Sequence, residues 1–483
     1  MQHPPSIPDG HIPDGSIHDG PIHDGPIHDG LPLPRRRFAI AALSCGTALV
    51  VIDGAVATVA LPTIAHDLHV GNASVVLVVT IYQLLLVMFL LPFSTLGDLL
   101  GHRRVYQSGQ AVFTIATLLC FFARSLPFLL VLRGLQALGA AAALSVSSAL
   151  VRSIYPAKQL GRGLGINSVV VSISAASAPM LGGLVLSVAP WPWVFASAVP
   201  FALLSLLLGR ALPNPEQRRT NYDILGAILC AAMFGLIIFA LESSVHGAAQ
   251  AVSIATGGLG IAVAIIFVRR ELKATQPILP VDLLGRPIFA LSTLGALTAF
   301  IASMTLLVSL PFRLQHGYGF LPREVGAAIA PWPLTTMIVA PLAGALSDRF
   351  PPSILGGIGM AIAVTGMITV AFLPPHPGYW DMAWRMSLSG SGFGLFLAPN
   401  ARLIITSVPP ARAASAGGLI STTRMVGQTL GATMVSALLA HALGGGKTPA
   451  LVAASLAFIA GLCSIARLGT KSPTAQIATA PHS

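Results

Sequence analysis

Long runs of apolar residues, separated by short polar connections, make up most of this 483-residue chain. A helix of about twenty apolar residues crosses the roughly 30 Å hydrocarbon core of a bilayer. Fourteen runs approach or exceed that length, and they span about 38–62, 74–96, 105–123, 126–151, 164–189, 193–209, 224–242, 251–268, 288–312, 325–347, 353–373, 383–400, 416–440 and 449–466. The pattern predicts an all-α membrane protein with fourteen transmembrane helices.

The composition supports a membrane protein, because 54% of the residues are hydrophobic and only 9% are charged, whereas soluble domains have about 25% charged residues. The formal net charge is +11. If the N-terminus is cytoplasmic, twenty of the 27 lysines and arginines flank the cytoplasmic ends of the predicted helices and four flank the outer ends. This asymmetry is typical of the positive-inside rule, so we expect both termini in the cytoplasm and no nucleic-acid partner.

Residues 6–30 form a five-residue repeat rich in Asp-Gly and proline. These residues favour turns, and one isoleucine per repeat is too little apolar surface for a core. We expect a disordered cytoplasmic tail over residues 1–37. Its His18, His23 and His28 alternate with aspartates, which leaves weak divalent-metal binding open, but a solvated tail without a metal site is favoured.

Two similar stretches end predicted helices in different parts of the chain. Leu96-Gly97-Asp98 ends the second and Leu346-Ser347-Asp348 ends the tenth. Such repetition indicates two related halves, with runs seven and eight inserted between them. The predicted division is a tail at 1–37, a six-helix bundle at 38–212, two inserted helices with their loops at 213–287, a second six-helix bundle at 288–467 and a cytoplasmic tail at 468–483.

Asp53 lies within the first apolar run, sixteen positions after Arg37, which is about 24 Å along a helix. A charged carboxylate at this depth is costly, so it must be paired, or neutral for part of a working cycle. Arg133 in the fourth run has a matching depth, roughly 9–14 Å below the outer surface. We predict a proton-coupling site in which Asp53 alternates between an Arg133-stabilised carboxylate and a protonated acid. A static pair that only joins helices one and four is the alternative.

The connection after the second predicted helix combines an aspartate, glycines and arginines. An aspartate can bond the start of a neighbouring helix, a glycine permits a tight turn, and arginines can form charge-assisted bonds to a carboxylate. Such contacts must break when the cytoplasmic face opens. We therefore predict a conformational latch formed by Gly97, Asp98, Gly101, Arg103 and Arg104, with Asp348 and Arg349 in the second copy. Arginines that only anchor the topology are the alternative.

Further ionisable residues fall near or within later helices. Glu242 ends the seventh run, and a solvated helix end is favoured there over a secondary proton site. Arg424 and Gln428 in the thirteenth run form an inner gate or polar contact, with snorkelling of the arginine as the alternative. The sequence has no paired nucleophile and base and no metal-ligand spacing, so we expect neither an enzyme nor a metal centre nor a bound cofactor.

The loop Ser94–Arg104 resembles the signature loop of the major facilitator superfamily, although its first glycine and first arginine positions hold serine and leucine. Ile52–Pro62 and Arg133–Gly139 resemble two further motifs, the second of which is associated with proton coupling in the fourteen-segment drug:proton antiporter branch. The resemblance covers essentially all of residues 38–467. It implies two six-helix bundles with two inserted central helices.

Ala178–Gly183 in the fifth run resembles the antiporter motif Gly-Pro-x-x-Gly-Gly of that superfamily. Pro179 kinks the helix, and Gly182 and Gly183 let a neighbouring helix approach closely. The resemblance implies export rather than uptake.

These observations lead us to expect a monomeric, proton-coupled secondary transporter that exports a small amphipathic or toxic compound across the bacterial cytoplasmic (inner) membrane by alternating access, in the manner of multidrug efflux. Its partners would be the substrate, protons and the lipid bilayer. Few acidic residues lie at membrane depth, so neutral or anionic substrates stay open. Proton-coupled uptake, metabolite export and a non-transporting membrane sensor or scaffold are the alternatives.

Overall fold

The computed structural model describes residues 30–156, 159–213, 223–247, 249–274, 278–409 and 412–469. Most of both predicted tails, including the three histidines of the repeat, lies outside the described residues. The first helix begins at Leu33, so the prediction of a disordered tail is wrong for residues 33–37. Side-chain bonds anchor this stretch, because Arg35 Nε donates to the carbonyl oxygen of Ala211 at 2.9 Å.

The described residues form long helices joined by short connections. We number them α1 Leu33–Asp67, α2 Asn72–Leu100, α3 His102–Phe122, α4 Leu126–Ile154, α5 Leu160–Val188, α6 Pro192–Ala211, α7 Ile224–Val245, α8 Gln250–Glu271, α9 Pro287–Gly317, α10 Pro322–Leu346, α11 Pro352–Ala371, α12 Tyr379–Thr406, α13 Ala413–Ala440 and α14 Thr448–Gly469.

Twelve of these helices are long and apolar enough to cross a membrane, counted over the described residues. The two that do not qualify are α12 and α13, each 28 residues long. Both contain many glycine, serine and threonine residues, and α12 also has two arginines and an aspartate whereas α13 has one arginine. These residues lower the apolar character of both helices. The predicted count of fourteen transmembrane helices is therefore not confirmed and stays a prediction.

The helices pack as two sets with a pair between them. Helices α1–α6 pack on one another, and so do α9–α14. The main contacts between the sets join α5 with α10, α2 with α13 and α1 with α9. The second helix of each set thus meets the fifth helix of the other, which is the arrangement that a two-fold repeat produces. The predicted domain limits stay predictions.

Glycines bring helices close together at equivalent places in the two sets. A Cβ atom on Gly139 of α4 would lie 2.5 Å from the carbonyl oxygen of Gly109 in α3. A Cβ atom on Gly359 of α11 would lie 2.8 Å from the carbonyl oxygen of Gly392 in α12. Helix association inside a membrane depends on such close packing, because lipid offers no hydrophobic driving force between helices.

The inserted pair, α7 and α8, pack on each other, and α7 also contacts α2 and α13. Asp223 caps the start of α7 by accepting a hydrogen bond from the Gly226 amide at 2.9 Å. Both terminal nitrogens of Arg270, at the end of α8, also donate to the Asp223 carboxylate, at 2.5 and 2.6 Å. The Arg270 guanidinium therefore holds the pKa of Asp223 below its usual range. The ion pair that joins α7 to α8 thus persists at neutral pH.

We call the side at which α1 begins the starting face and the other side the opposite face. At the opposite face, Gln315 Nε2 donates to the carbonyl oxygen of Val59 at 3.5 Å, and Ser436 Oγ donates to that of Ala73 at 3.1 Å. These are the described side-chain hydrogen bonds that link the two sets directly. The two sets are therefore joined at the opposite face.

The starting face is different, because open space lies beside the backbone of several helices there. A Cβ atom on Gly165 of α5, on Gly344 of α10, or on Gly417 or Gly418 of α13 would meet no atom within 4 Å. In addition, α5 packs mainly on Pro322–Ile329, the part of α10 nearer the opposite face, and less on Pro331–Leu346. The contact between the two sets is therefore concentrated at the opposite face.

We expect Gly139→Ala to destabilise the folded protein by about 1–3 kcal/mol, because the added methyl group overpacks the contact between α3 and α4. Gly258→Ala is the matched control, since a Cβ atom on Gly258 of α8 meets open space. Thermal unfolding of both purified variants in detergent measures the difference. Equal unfolding temperatures for the two would contradict the close packing.

Candidate functional site

An ion pair between Asp53 and Arg133 lies in the core of the first helix set. Arg133 Nη1 on α4 donates to Asp53 Oδ2 on α1 at 2.6 Å. Both side chains are completely buried. The structure therefore brings together the two residues that the sequence analysis paired by depth.

Gln136 extends this pair into a network. Arg133 Nη1 also donates to Gln136 Oε1 at 2.8 Å. Gln136 Nε2 donates to Thr117 Oγ1 at 2.8 Å and lies 3.4 Å from Asp53 Oδ1. Since Arg133 and Gln136 are three positions apart on one helix, they share a face and address the carboxylate together.

Aromatic rings form the walls around the guanidinium. The Tyr82 ring lies 4.3 Å from Arg133 Cζ and the Phe195 ring lies 5.1 Å from it. Arg133 Nε donates to the carbonyl oxygen of Val78 at 3.3 Å. The remaining nitrogen, Nη2, and the Tyr82 hydroxyl are buried with no hydrogen-bond partner among the described residues. Two donors of the site, Arg133 Nη2 and the Tyr82 hydroxyl, therefore have no acceptor among the described residues, and Asp53 is the carboxylate beside them.

The chemistry of this arrangement follows from its burial. A buried ion pair is retained only while each charge neutralises the other, and removing one leaves the partner uncompensated in a medium of low dielectric constant. Protonation of Asp53 would neutralise the carboxylate and so leave the Arg133 charge uncompensated, as a mutation of Asp53 would. The site can therefore convert proton binding into a change in the energy of the contact between α1 and α4.

Glu242 is a second buried carboxylate, and the favoured interpretation of it as a solvated helix end is wrong. It is 8% exposed, because α7 lies against α2 and α13. Thr433 Oγ1 on α13 donates to Glu242 Oε1 at 2.7 Å. His246 Nδ1 lies 3.5 Å from Oε2, and Oε2 has no hydrogen-bond partner among the described residues, since the Thr80 hydroxyl donates to the carbonyl oxygen of Val76.

The predicted latch residues lie where α2 meets α3. Gly101 adopts a φ of +96°, which favours glycine and allows the tight turn. Asp98 Oδ1 lies 3.0 Å from Nε2 of His102, the first residue of α3. Arg103 and Arg104 form no ion pair in the described part of the chain. Asp98 thus bonds the start of the next helix, through a histidine rather than through the predicted arginines.

Gly97 has a packing role beside this turn, since a Cβ atom there would overlap the Val146 side chain. In the second copy, Asp348 is paired with Arg402 of α12 at 2.5 Å and not with Arg349. Arg349 is exposed, whereas Arg402 comes from a helix that packs on α10. Each copy therefore forms its contact within its own helix set.

The predicted kink residues lie where α5 meets α10. A Cβ atom on Gly183 would lie 2.6 Å from the carbonyl oxygen of Pro322, and one on Gly326 would overlap that of Pro179. Gly182 faces α1, where a Cβ atom would lie 3.4 Å from the carbonyl oxygen of Val56. Pro179 and its glycines thus form part of the closed seam at the opposite face.

Arg424 and Gln428 lie one turn apart near the middle of α13. Arg424 is partly buried, and its Nε has no hydrogen-bond partner among the described residues. Among the described residues, no acidic side chain lies close enough to Arg424 to serve as its counter-ion. Snorkelling requires a charged end that reaches water at a helix terminus, and a position near mid-helix does not suit that interpretation.

Sequence reasoning missed the residues that complete these sites. Thr117, Tyr82 and Phe195 surround the ion pair, and Thr433 holds Glu242 from 191 positions away. The three-residue spacing of Arg133 and Gln136 was a usable signal for the glutamine. Neutral threonines and aromatic rings within apolar helices carry no comparable signal, since they are common in helix cores.

The sequence matches the model of the Major Facilitator Superfamily over residues 43–432, and again over residues 292–480. The chain belongs to this superfamily. It is therefore a multi-pass membrane protein and a secondary transporter for a small molecule, and it is not an enzyme.

Individual members of the superfamily are similar over most of the chain. An uncharacterized transporter of Escherichia coli (strain K12), YebQ, is 42% identical over 436 residues, which are 90% of this chain and 95% of that protein. The riboflavin transporter RibZ of Clostridioides difficile (strain 630) is 28% identical over 85% of this chain and 90% of its own. The multidrug resistance protein Stp of Mycobacterium tuberculosis is 30% identical over 83% and 75%.

A solved structure shows the same fold. A bacterial homologue of the human lysosomal transporter Spinster, in an inward-facing and unoccupied conformation, aligns with a TM-score of 0.66 at 19% identity. The alignment covers 90% of this chain and 97% of that one. The all-helical fold of the Major Facilitator Superfamily is thereby shown for this chain.

We expect Arg133→Met to destabilise the protein by about 3–5 kcal/mol at neutral pH, because it leaves the Asp53 carboxylate buried and unpaired. The double variant Asp53→Asn/Arg133→Met removes both charges and should recover part of that loss. Denaturant or thermal unfolding of the variants in detergent measures both values. A double variant no more stable than Arg133→Met would contradict the interaction between the two charges.

Proposed function

We propose that this chain is a proton-coupled exporter of small amphipathic or toxic compounds, from the fourteen-helix drug:proton antiporter branch of the superfamily. The observation that carries the proposal is the buried Asp53–Arg133 pair, in which one carboxylate and one guanidinium neutralise each other at 2.6 Å. A proton is the simplest ligand that can exchange at such a site without opening a cavity. The relative named as a multidrug resistance protein agrees with drug export, and the riboflavin transporter keeps a metabolite substrate open.

Proton binding at Asp53 would change the relative energies of the two states of the transporter. The ionised pair stabilises the arrangement in which α1 contacts α4 through Arg133. The protonated acid leaves Arg133 with only carbonyl, amide and aromatic neighbours, so a state that hydrates the cation becomes favoured. A ligand shifts such an equilibrium only by its difference in affinity for the two states, and the burial of this pair provides that difference.

The direction of transport is proposed from the seam between α5 and α10. Gly183 and Gly326 let the two backbones approach closely at the opposite face, while open space lies beside several helices at the starting face. We place the starting face in the cytoplasm on the distribution of lysine and arginine. Substrate would then enter from the cytoplasm of a bacterial cell and leave by alternating access, through a monomer whose termini are both cytoplasmic.

The predicted latch fits the same cycle. With the starting face open, Asp98 and Asp348 hold partners within their own helix sets, and Arg103 and Arg104 have no acidic partner in the described residues. Closure of that face would bring the sets together, and these arginines would then be free to bind carbonyl or acidic groups across the interface.

We expect Asp53→Asn to abolish proton-driven accumulation of amphipathic dyes in inside-out membrane vesicles, because the amide cannot exchange a proton. Asp67→Asn at the exposed end of α1 is the matched control, and it should transport as the wild-type protein does. Dye fluorescence is followed before and after a protonophore is added.

Accumulation that survives the protonophore in the wild type would contradict proton coupling. Protonophore-sensitive accumulation that persists in Asp53→Asn would instead contradict the role of Asp53. Accumulation in right-side-out vesicles alone would show uptake and not export.

We propose Glu242 as a secondary proton site. Glu242→Gln keeps an acceptor for the Thr433 hydroxyl but cannot ionise, so we expect it to retain the folded stability of the wild type and to alter the pH dependence of transport. Glu242→Leu removes both the contact and the charge, and should also destabilise the protein by about 1–3 kcal/mol, because the threonine hydroxyl loses its acceptor. An unchanged pH profile in Glu242→Gln would leave Glu242 a structural contact only.

A further inference from the structure

Arg424 is a cation near the middle of α13 for which the described residues provide no counter-charge. It is the twelfth of the 28 residues of Ala413–Ala440. Its Nε is buried without a partner, and no acidic group acts on it. The charge that acts on Asp53 is Arg133 and not Arg424, so the proton site and this arginine are separate.

The face of α13 that carries Arg424 changes from packed to open along the helix. Gly431, seven positions after Arg424, lies on the same face, and a Cβ atom there would lie 2.7 Å from the Cβ atom of Met304 in α9. Gly417, seven positions before Arg424, also lies on this face, and a Cβ atom there would meet no atom within 4 Å. Seven residues are about 10 Å along a helix. Arg424 therefore lies midway between the level at which this face packs on α9 and the level at which it is open.

A second polar group accompanies the arginine on this face. Gln428 is four positions further along, which places it one turn from Arg424. It is partly buried, and it forms none of the described hydrogen bonds. A guanidinium with an amide one turn away offers several donors directed into the same space, which suits a planar, charged acceptor such as a carboxylate.

The energetics argue for a ligand rather than for a structural role. An unpaired cation away from water in a membrane helix is costly, and for the partly buried Arg424 none of the described residues offsets that cost. A substrate anion in the space beside α13 would neutralise the arginine and form charge-assisted hydrogen bonds with it. None of the acidic side chains that the structure describes pairs with Arg424, which also makes this part of α13 a poor site for a cation.

We propose that Arg424, assisted by Gln428, binds an anionic group of the transported compound, so that the substrates are amphipathic organic anions such as carboxylates. This inference rests on the proposed transport function and names the substrate class that it acts on. Export of a monoanion in exchange for one inward proton moves two positive charge equivalents into the cell. The membrane potential would therefore drive transport together with the proton gradient.

The test compares two xanthene dyes of similar size and opposite charge. Binding of carboxyfluorescein and of tetramethylrhodamine methyl ester to the purified full-length protein is measured by fluorescence anisotropy. The variants are Arg424→Gln, Arg424→Lys, and the control Arg269→Gln, which removes an exposed arginine at the end of α8. All four proteins are also unfolded thermally without dye.

The wild type and the Arg269→Gln control should bind the anionic dye more tightly than the cationic one. Arg424→Gln should weaken anion binding by about tenfold or more, leave the cationic dye unaffected or bound more tightly, and unfold no earlier than the wild type. The affinity of Arg424→Lys for the anionic dye should lie between those of the wild type and Arg424→Gln, because lysine keeps the charge but lacks the planar pair of donors.

Three results would overturn the proposal. They are a wild type that does not prefer the anionic dye, an Arg424→Gln variant that weakens both dyes equally, and a dye-free Arg424→Gln variant that unfolds at a lower temperature. The last would show a structural role for the arginine. Proton coupling is judged separately, since anion binding that depends on Arg424 would stand even if transport survived a protonophore.

Discussion

The exclusion of uncompensated charge from hydrocarbon is the constraint on which this structure depends. Asp53 and Arg133 satisfy it together, since each removes the cost of the other inside the first helix set. Gln136, the Val78 carbonyl and two aromatic rings complete the surroundings of the guanidinium. Removing either charge would leave the other buried and uncompensated, and this is the basis of the proposal that the pair responds to a proton.

The two helix sets differ in how they pack internally and in how they meet each other. Close glycine contacts hold the helices within each set, whereas the sets meet each other chiefly along α5 with α10 and α2 with α13. Glu242 lies at the second of these seams and is held by Thr433. One buried carboxylate, Asp53, thus lies inside a set, and the other, Glu242, lies at a seam between the sets.

Depth and spacing in the sequence were enough to predict the central pair, because a helix has a fixed rise and both residues could be measured from the same face. They were not enough for Glu242, whose burial depends on Thr433 from a distant helix, nor for Asp348, whose partner is Arg402 rather than the adjacent Arg349. The predicted number of fourteen membrane spans stays a prediction, because α12 and α13 contain many small and polar residues.

The central claim is that Asp53 itself takes up a proton during transport. Infrared difference spectroscopy of the purified protein between high and low pH tests it directly, since a protonated carboxylic acid in a dry site has a carbonyl band that a carboxylate lacks. The account predicts such a band in the wild type and its loss in Asp53→Asn, with Asp67→Asn unchanged. A band that is unaffected by Asp53→Asn, or a carboxylate that stays ionised throughout the pH range of transport, would contradict it.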